Sequence, residues 1–488
     1  MNKNQVLALV LVLVVVLVVV IVVYHQSVVA PSPSGQYGQA TPTAPYNGGT
    51  SGNASGSNNG GQTTTPPVTP SNVPAQYQSL YNGFQTALTT SNQDISGWNG
   101  STYPVNYAVE LINANGQQGP TVLGRLAAVK ADLASDKAMG VKAVDLEAGF
   151  PLFDQNYYTY EGSSYTPQQF ISFYQSVVAA AHALGIKVMI ESNLSESTSN
   201  TGDPLNPGAY YRTLTWAQFV ALRSADNVTI AEKIKPDYLI LQTEPTTDAF
   251  DVGKSPIASQ LNNPVADTQM ISQFVSDLNS ANIPGLHTSL QVGSGFGMWQ
   301  TSNWQQYLSG LTAINGLDKI DTHMFFFGPA DPADEVSIAL QVADAAHTAG
   351  KGVTMSEVWP NKTAATPLAQ IWVANPVDPT ADYVARQTYS FWEPLDEQYL
   401  LMFVKMANYK KFDYISPFMG LGALNWAYLD YANTPCVQVY PANGTKNATC
   451  DGQITKAENQ LAGNALSSNQ LSPIGAAYQS DIATYSSK

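Results

Sequence analysis

Between residues 105 and 430, short apolar runs alternate with longer stretches whose apolar positions recur every three or four residues. The first kind reads as buried strand, the second as amphipathic helix. Eight strands are predicted: Tyr107–Ala114, Val141–Ala148, Lys187–Asn193, Tyr238–Glu244, Thr288–Val292, Lys319–Phe327, Val353–Trp359 and Tyr414–Trp426. A helical segment from Gln76 to about Thr90 precedes them. Between them the helical period covers Thr121–Met139, Pro167–Leu184, Trp216–Ile234, Asp267–Ala281, Trp304–Ile314, Pro332–Ala349 and Ala381–Tyr409. Gly140, Gly185 and Gly350 follow three of these helices, where a left-handed C-terminal cap favours glycine. The alternation predicts an α/β fold, a (β/α)8 TIM barrel whose last helix comes from about Asp451 onward. An open doubly wound sheet is the rival, but no glycine-rich phosphate-binding turn follows the first strand.

Upstream of the barrel the pattern changes twice. Residues 1–30 contain an almost unbroken Val/Leu run from Val6 to about Tyr24. It is long enough to cross a bilayer as a helix, and Lys3 before it predicts an inside N-terminus with the rest of the chain outside. A cleaved signal peptide, with Val28-Val-Ala30 as the cleavage site, is the alternative. Residues 31–73 are Pro, Gly, Ser, Thr, Asn and Gln with hardly an apolar anchor, a composition that makes a flexible linker. Residues 74–488 then form the barrel domain.

Composition narrows the partners. Charged residues are 12% of the chain and the formal net charge is −15, which argues against nucleic acid and against anionic lipid surfaces as partners. Cys436 and Cys450 are the only cysteines. Outside the cell they are expected to pair, closing a short loop worth ~3 kcal/mol. The N-x-S/T sequons at Asn53, Asn99, Asn193, Asn227, Asn361, Asn443 and Asn447 fit a glycosylated outer face. Asn193 is the one least suited to glycan if it lies in the barrel mouth.

The candidate chemistry is a pair of carboxylates. Tyr238-Leu-Ile-Leu-Gln-Thr-Glu-Pro245 is an apolar run ending in Glu244, and Gly352-Val-Thr-Met-Ser-Glu-Val-Trp359 carries Glu357 near its end. Barrel sites lie at the C-terminal ends of the strands. The same mouth collects Asp145 and Glu147 from strand two, Glu191 and Asn193 from strand three, and Gln242 and Thr243 beside Glu244. Gln291 is expected there from strand five, His323 from strand six, Trp359 from strand seven, and Asn425 and Trp426 from strand eight. Singly, each has an ordinary explanation: a solvated strand end, a salt-bridge partner or a core histidine. Together, so many polar groups at strand ends are costly for a core and natural for a site. Glu110, Asp248, Asp321 and Glu393 read as structural or solvated. Asp145, Glu147 and Glu191 could hold a divalent metal, but carboxylates alone do not identify one. No cofactor is expected.

Gln242-Thr-Glu-Pro245 and Met355-Ser-Glu-Val-Trp359, with Thr322-His323 and Asn425-Trp426, resemble the strand-four, strand-seven, strand-six and strand-eight motifs of clan A glycoside hydrolases, over roughly residues 105 to 430. The resemblance implies a retaining glycoside hydrolase acting on β-linked oligo- or polysaccharide. Glu244 would be the acid/base, with a pKa above that of its partner, and Glu357 the nucleophile. The carboxyl groups should lie ~5–5.5 Å apart. His323 would bond Glu357 or the sugar, and Trp426 would floor the sugar site. The chain departs from the clan in having Thr243 where Asn usually precedes the acid/base residue, and no Arg near the end of strand two. Phe153, Tyr157, Tyr158, Trp299, Phe326, Phe327 and Trp359 could extend the sugar platform. Two other readings stay open: a catalytically inactive glycan-binding or cell-envelope barrel, and a metal-assisted barrel hydrolase.

Overall fold

The computed structural model describes residues 72–195, 205–253, 255–300, 302–325, 332–360, 389–417, 428–433 and, with gaps, 453–486. Eight strands, all parallel to their neighbours, close into a barrel in sequence order. They are β1 (Asn106–Glu110), β2 (Ala143–Glu147), β3 (Lys187–Glu191), β4 (Tyr238–Ile240), β5 (Gln291–Gly297), β6 (Lys319–Phe325), β7 (Gly352–Trp359) and β8 (Tyr414–Pro417). β8 closes on β1 through Asn106 opposite Tyr414 and Tyr107 opposite Ile415. The expected (β/α)8 barrel is therefore present. The helices Leu126–Met139, Pro167–Ala183, Trp216–Thr229, Pro264–Ser280, Trp304–Thr312, Pro332–Thr348 and Glu393–Lys410 connect the strands, and Pro473–Tyr485 supplies the last one. Gly140, Gly185 and Gly350 all have positive φ, the left-handed caps that their positions required.

Inside the barrel, strand alternation stacks side chains in layers. The lower layer is apolar: Ala108, Ala143, Met189, Tyr238, Ile240 and Tyr414. The two alanines leave room for the two tyrosines, whose rings meet at 5.6 Å, edge to face. Two residues further along the same strands the inward positions become Glu110, Asp145, Glu191 and Ser416, with Asp321 and Thr354 from β6 and β7. Burying carboxyl groups in place of Val or Leu is unfavourable unless each finds a partner. The upper interior is thus built for something other than stability.

Four strands differ from expectation. β1 ends at Glu110 and not at Ala114, because Ile112–Ala114 turns into a 3-10 helix. β4 ends at Ile240 and not at Glu244; Leu241 and Gln242 still pair with β5 through Leu241 N–H to the Gly293 carbonyl and Gly295 N–H to the Gln242 carbonyl, each 2.8 Å. β5 runs later than predicted, through Gln291-Val-Gly-Ser-Gly-Phe-Gly297, a stretch whose glycines resemble a loop. They are there for contact: a Cβ on Gly295 would sit 2.1 Å from the backbone oxygen of Asp321, and one on Gly293 would sit 2.6 Å from Ile240. β8 is regular only as far as Pro417. Residues 1–71, Phe326, Phe327, Asn425, Trp426, Cys436 and Cys450, with the sequons at Asn53, Asn361, Asn443 and Asn447, lie outside the described residues. Among the described residues no helix is long and apolar enough to cross a membrane.

Candidate active site

Glu244 leaves the barrel edge at an irregular backbone position (φ −135°, ψ 80°) and serves as the N-cap residue of the helix Pro245–Asp251. Pro245 fits the first helical turn, where its missing N–H is no loss. The Glu244 backbone carbonyl accepts from Thr247 and Asp248 N–H, each 3.0 Å, and its carboxylate Oε2 accepts from the Thr247 hydroxyl. These contacts aim the other oxygen, Oε1, inward. There it meets His323 Nδ1 at 2.8 Å.

Glu357 reaches the same point from β7 through a bulge. Asp321 pairs with Thr354 and His323 pairs with Glu357, so three steps along β7 match two along β6. A bulge breaks side-chain alternation and re-aims the residues within it. Here it turns both Ser356 and Glu357 towards His323. Glu357 Oε2 lies 3.1 Å from His323 Nδ1, and the other oxygen, Oε1, has no hydrogen-bond partner among the described residues. One oxygen of Glu244, one of Glu357 and a nitrogen of His323 all lie within 4.8 Å of one another. His323 therefore touches both carboxylates, where the sequence suggested Glu357 or the sugar.

His323 is fully buried, whereas the side chains of Glu244 and Glu357 keep about a tenth of their surface. Its Nε2 lies 2.9 Å from Ser356 Oγ and 3.3 Å from Glu191 Oε2. Burial opposes charge on the ring, but Glu357 and the bonds to Glu191 and Glu244 outweigh it and hold the imidazole well above its usual pKa. Glu357 is pushed up to about 7: burial is the main cause, Glu244 and Glu147 add to it, and His323 pulls it down. Burial likewise raises Asp145 to about 7, against bonds from Ser416 and Tyr414, and raises Glu191 and Glu110 well above the normal range. Crowded carboxyl groups around one cation share protons and cannot all ionise.

The remaining predicted residues separate into those in the mouth and those outside it. Glu147 and Asn193 are in the mouth, with Asn193 Nδ2 3.4 Å from both Glu147 and Glu191. Thr243 is buried and donates to Asn193 Oδ1 through its N–H (3.0 Å) and its hydroxyl (2.9 Å). Gln242 does not share Glu244's direction as strand alternation had implied. β4 has ended, and the Gln242 amide instead donates to Asp248 at 2.6 Å, among the helices. Gln291 is a clear correction: it is the first residue of β5, opposite Tyr238, at the end of the barrel remote from the mouth. Trp359 closes β7. Phe153, Tyr157 and Tyr158 are core residues, not a sugar platform, whereas Trp299 stacks on Phe325 at 4.8 Å. Asn193 and Asn227 are buried, so neither sequon suits a glycan, while Asn99 is exposed.

Several participants were missed. Asp321, read from the sequence as structural or solvated, is buried behind the site, with Ser356 Oγ donating to its Oδ2 at 2.7 Å and Thr354 Oγ1 to its Oδ1 at 2.5 Å. Its spacing of two from His323 was a legible signal of a shared face. Ser356 was not legible, because without the bulge it would face away from Glu357. Arg223 is fully buried: it pairs with Asp248 at 2.7 Å and donates to the Ser192 and Leu241 carbonyls, tying down the segment that carries Glu244. Asp145, Glu147 and Glu191 do not form a ligand cluster among the described residues. Glu244, His323 and Glu357 are close enough for one, and His323 points both nitrogens at hydrogen-bond partners.

No protein-family model matches the chain, and no curated protein matches it. Solved structures similar to it include a GH5_18 from Bifidobacterium longum subsp. infantis, at 13% identity over 79% of this chain and 80% of that one, with a TM-score of 0.45. The AHE enzyme from Alicyclobacillus herbarius matches at 11% identity over 80% and 99%, with a TM-score of 0.46. A family 1 β-glucosidase from Thermotoga maritima matches at 11% over 72% and 88%, with a TM-score of 0.38.

Proposed function

We propose that the chain is a retaining glycoside hydrolase of β-linked oligo- or polysaccharide. The observation that carries this reading is the pair Glu244 and Glu357, one oxygen of each within 4.8 Å of the other and both in contact with His323 Nδ1. Carboxyl groups ~5–5.5 Å apart suit a double displacement, whereas an inverting enzyme keeps them ~6.5–9.5 Å apart to admit water between acid and base. Glu357, ionised, attacks the anomeric carbon with its unpartnered Oε1 and forms a glycosyl ester. Glu244 takes up the pair's proton on Oε2, with the Thr247 hydroxyl turned to accept from it, donates that proton to the leaving oxygen and then takes one from the incoming water. His323 offers Nδ1–H to whichever carboxylate is negative at each stage. Glu147 and Asn193, at the same mouth, are placed to bind sugar hydroxyls, and Trp299 offers a stacking face.

We further propose that residues 1–30 anchor the enzyme at the outer face of a membrane, with residues 31–73 as tether and a Cys436–Cys450 disulfide outside the cell. Recovery of the whole chain in the soluble fraction, or free thiols at both cysteines, would count against that location.

The test is sugar release by the full-length protein from β-glucans, mannans, xylans and galactans, beside Glu357→Ala and Glu244→Gln. Release by the wild type alone, with azide restoring turnover in Glu357→Ala, supports the assignment. Undiminished release by Glu357→Ala removes the nucleophile. Binding without release by the wild type favours the inactive glycan-binding barrel.

A further inference from the structure

His323 has acids around it from several strands: Asp145 and Glu147 of β2, Glu191 of β3, Glu244 just after β4, Asp321 of its own strand and Glu357 of β7. Among these, Asp321 accepts from hydroxyl donors on both oxygens, Thr354 and Ser356. A carboxyl group that accepts at both oxygens is held as the anion. Ser356 has one hydroxyl proton, and Asp321 takes it. The contact between Ser356 Oγ and His323 Nε2, 2.9 Å, must then be donated by the ring. At the other nitrogen, Nδ1, the partners are two carboxylate oxygens, 2.8 and 3.1 Å away, which also accept. The direction of each bond follows from the one before it.

We propose that Asp321, acting through Ser356, is a positioning residue that keeps a proton on His323 Nε2 and so presents Nδ1–H to Glu244 and Glu357 together. The bulge in β7 is what makes this possible: Ser356 keeps the face it shares with Thr354, and the shifted register sets the adjacent Glu357 opposite His323 as well. Burial leaves the Asp321 carboxyl above its usual range, and His323 and the two hydroxyls offset part of that rise; the relay rests on the geometry of the bonds. Asp321 itself does not reach the mouth: its Oδ2 is 3.7 Å from His323 Nε2. Its effect on chemistry passes through the ring.

The inference rests on the glycosidase reading for its catalytic consequence, but not for its main test. In the full-length protein labelled with 15N-histidine, the His323 signals are assigned by their loss in His323→Gln, and the ring is titrated without substrate. In the wild type both ring nitrogens are expected to carry protons at neutral pH. Asp321→Asn should lower the His323 midpoint by about one pH unit or more, and Ser356→Ala should lower it in the same direction. Ser356→Thr, which keeps the hydroxyl, should restore it. Cooperative thermal unfolding of each variant shows that it folds. If both midpoints stay at the wild-type value, the proposal fails. If Asp321→Asn moves the midpoint and Ser356→Ala does not, Asp321 acts through its field alone and the relay is overturned.

On an active substrate the same variants should lower kcat about 10²-fold with KM changed little, and should draw the alkaline limb of the kcat profile to lower pH. A variant that lowers kcat with an unmoved pH profile contradicts the relay. Should no substrate be cleaved by the wild type, the glycosidase reading fails while the titration still decides the relay.

Discussion

Replacing Arg223 by Met tests how the acid/base segment is held. Arg223 is fully buried and Asp248 nearly so, and they pair at 2.7 Å. The second terminal nitrogen of the guanidinium bonds the Ser192 and Leu241 carbonyls at 3.0 and 3.2 Å. Methionine refills most of the volume between Phe219 and Phe274, which flank the guanidinium, so cavity formation is a minor part of the cost. What remains is an Asp248 carboxylate without its cation and two carbonyls without a donor. Asp248 keeps the Gln242 amide and the Leu194 N–H, which softens the loss. Breaking one side of a buried pair costs about 3–5 kcal/mol. With an unfolding entropy of about 2.1 cal/mol/K per residue over roughly 400 residues, that corresponds to a fall in Tm of about 4–6 °C. Scanning calorimetry at a fixed scan rate measures it. Arg223→Lys, which keeps charge but cannot reach all three acceptors, should fall between. A Tm for Arg223→Met within about 1 °C of wild type would refute the claim that this pair clamps the Glu244 segment.

Acidity should stabilise the protein. Among the described residues every resolved carboxyl shift is upward, including Glu357 and Asp145 to about 7 and Asp132 to about 6, and His323 is raised as well. The folded state therefore binds more protons than the unfolded chain above the carboxylates' ordinary range, so stability falls as pH rises. Tm should drop between about pH 4.5 and pH 7, and a Tm that rises over that window contradicts the buried acid cluster. Gly295→Ala should destabilise by about 3 kcal/mol, because its Cβ would meet the Asp321 backbone and not a flexible side chain; denaturant unfolding with an unchanged midpoint would contradict the close approach. Chelators should leave activity intact, because the proposed double displacement uses only Glu244, Glu357 and water. Loss of activity that zinc or calcium restores would overturn that reading.

The order of the fold was legible in the chain because barrel strands are buried on both sides and read as short apolar runs, while the helices keep one polar face. The same regularity located Glu244, His323, Glu357, Glu147 and Asn193 near strand ends, but Asp321 was read as structural or solvated although its spacing of two from His323 puts both on one face. Where side-chain direction departs from alternation, the sequence carries no such signal. β4 stops at Ile240, so Gln242 turns to the helices; β5 starts at Gln291, so that residue lies at the far end of the barrel. The β7 bulge lets the adjacent residues Ser356 and Glu357 serve one histidine from two sides. These features depend on contacts between strands far apart in sequence: Gly295 against Asp321, Arg223 against Asp248 and the Leu241 carbonyl. A single chain read in order shows which side chains are present at the mouth, but hydrogen-bond direction and strand register, fixed only when the barrel closes, decide which of them meet.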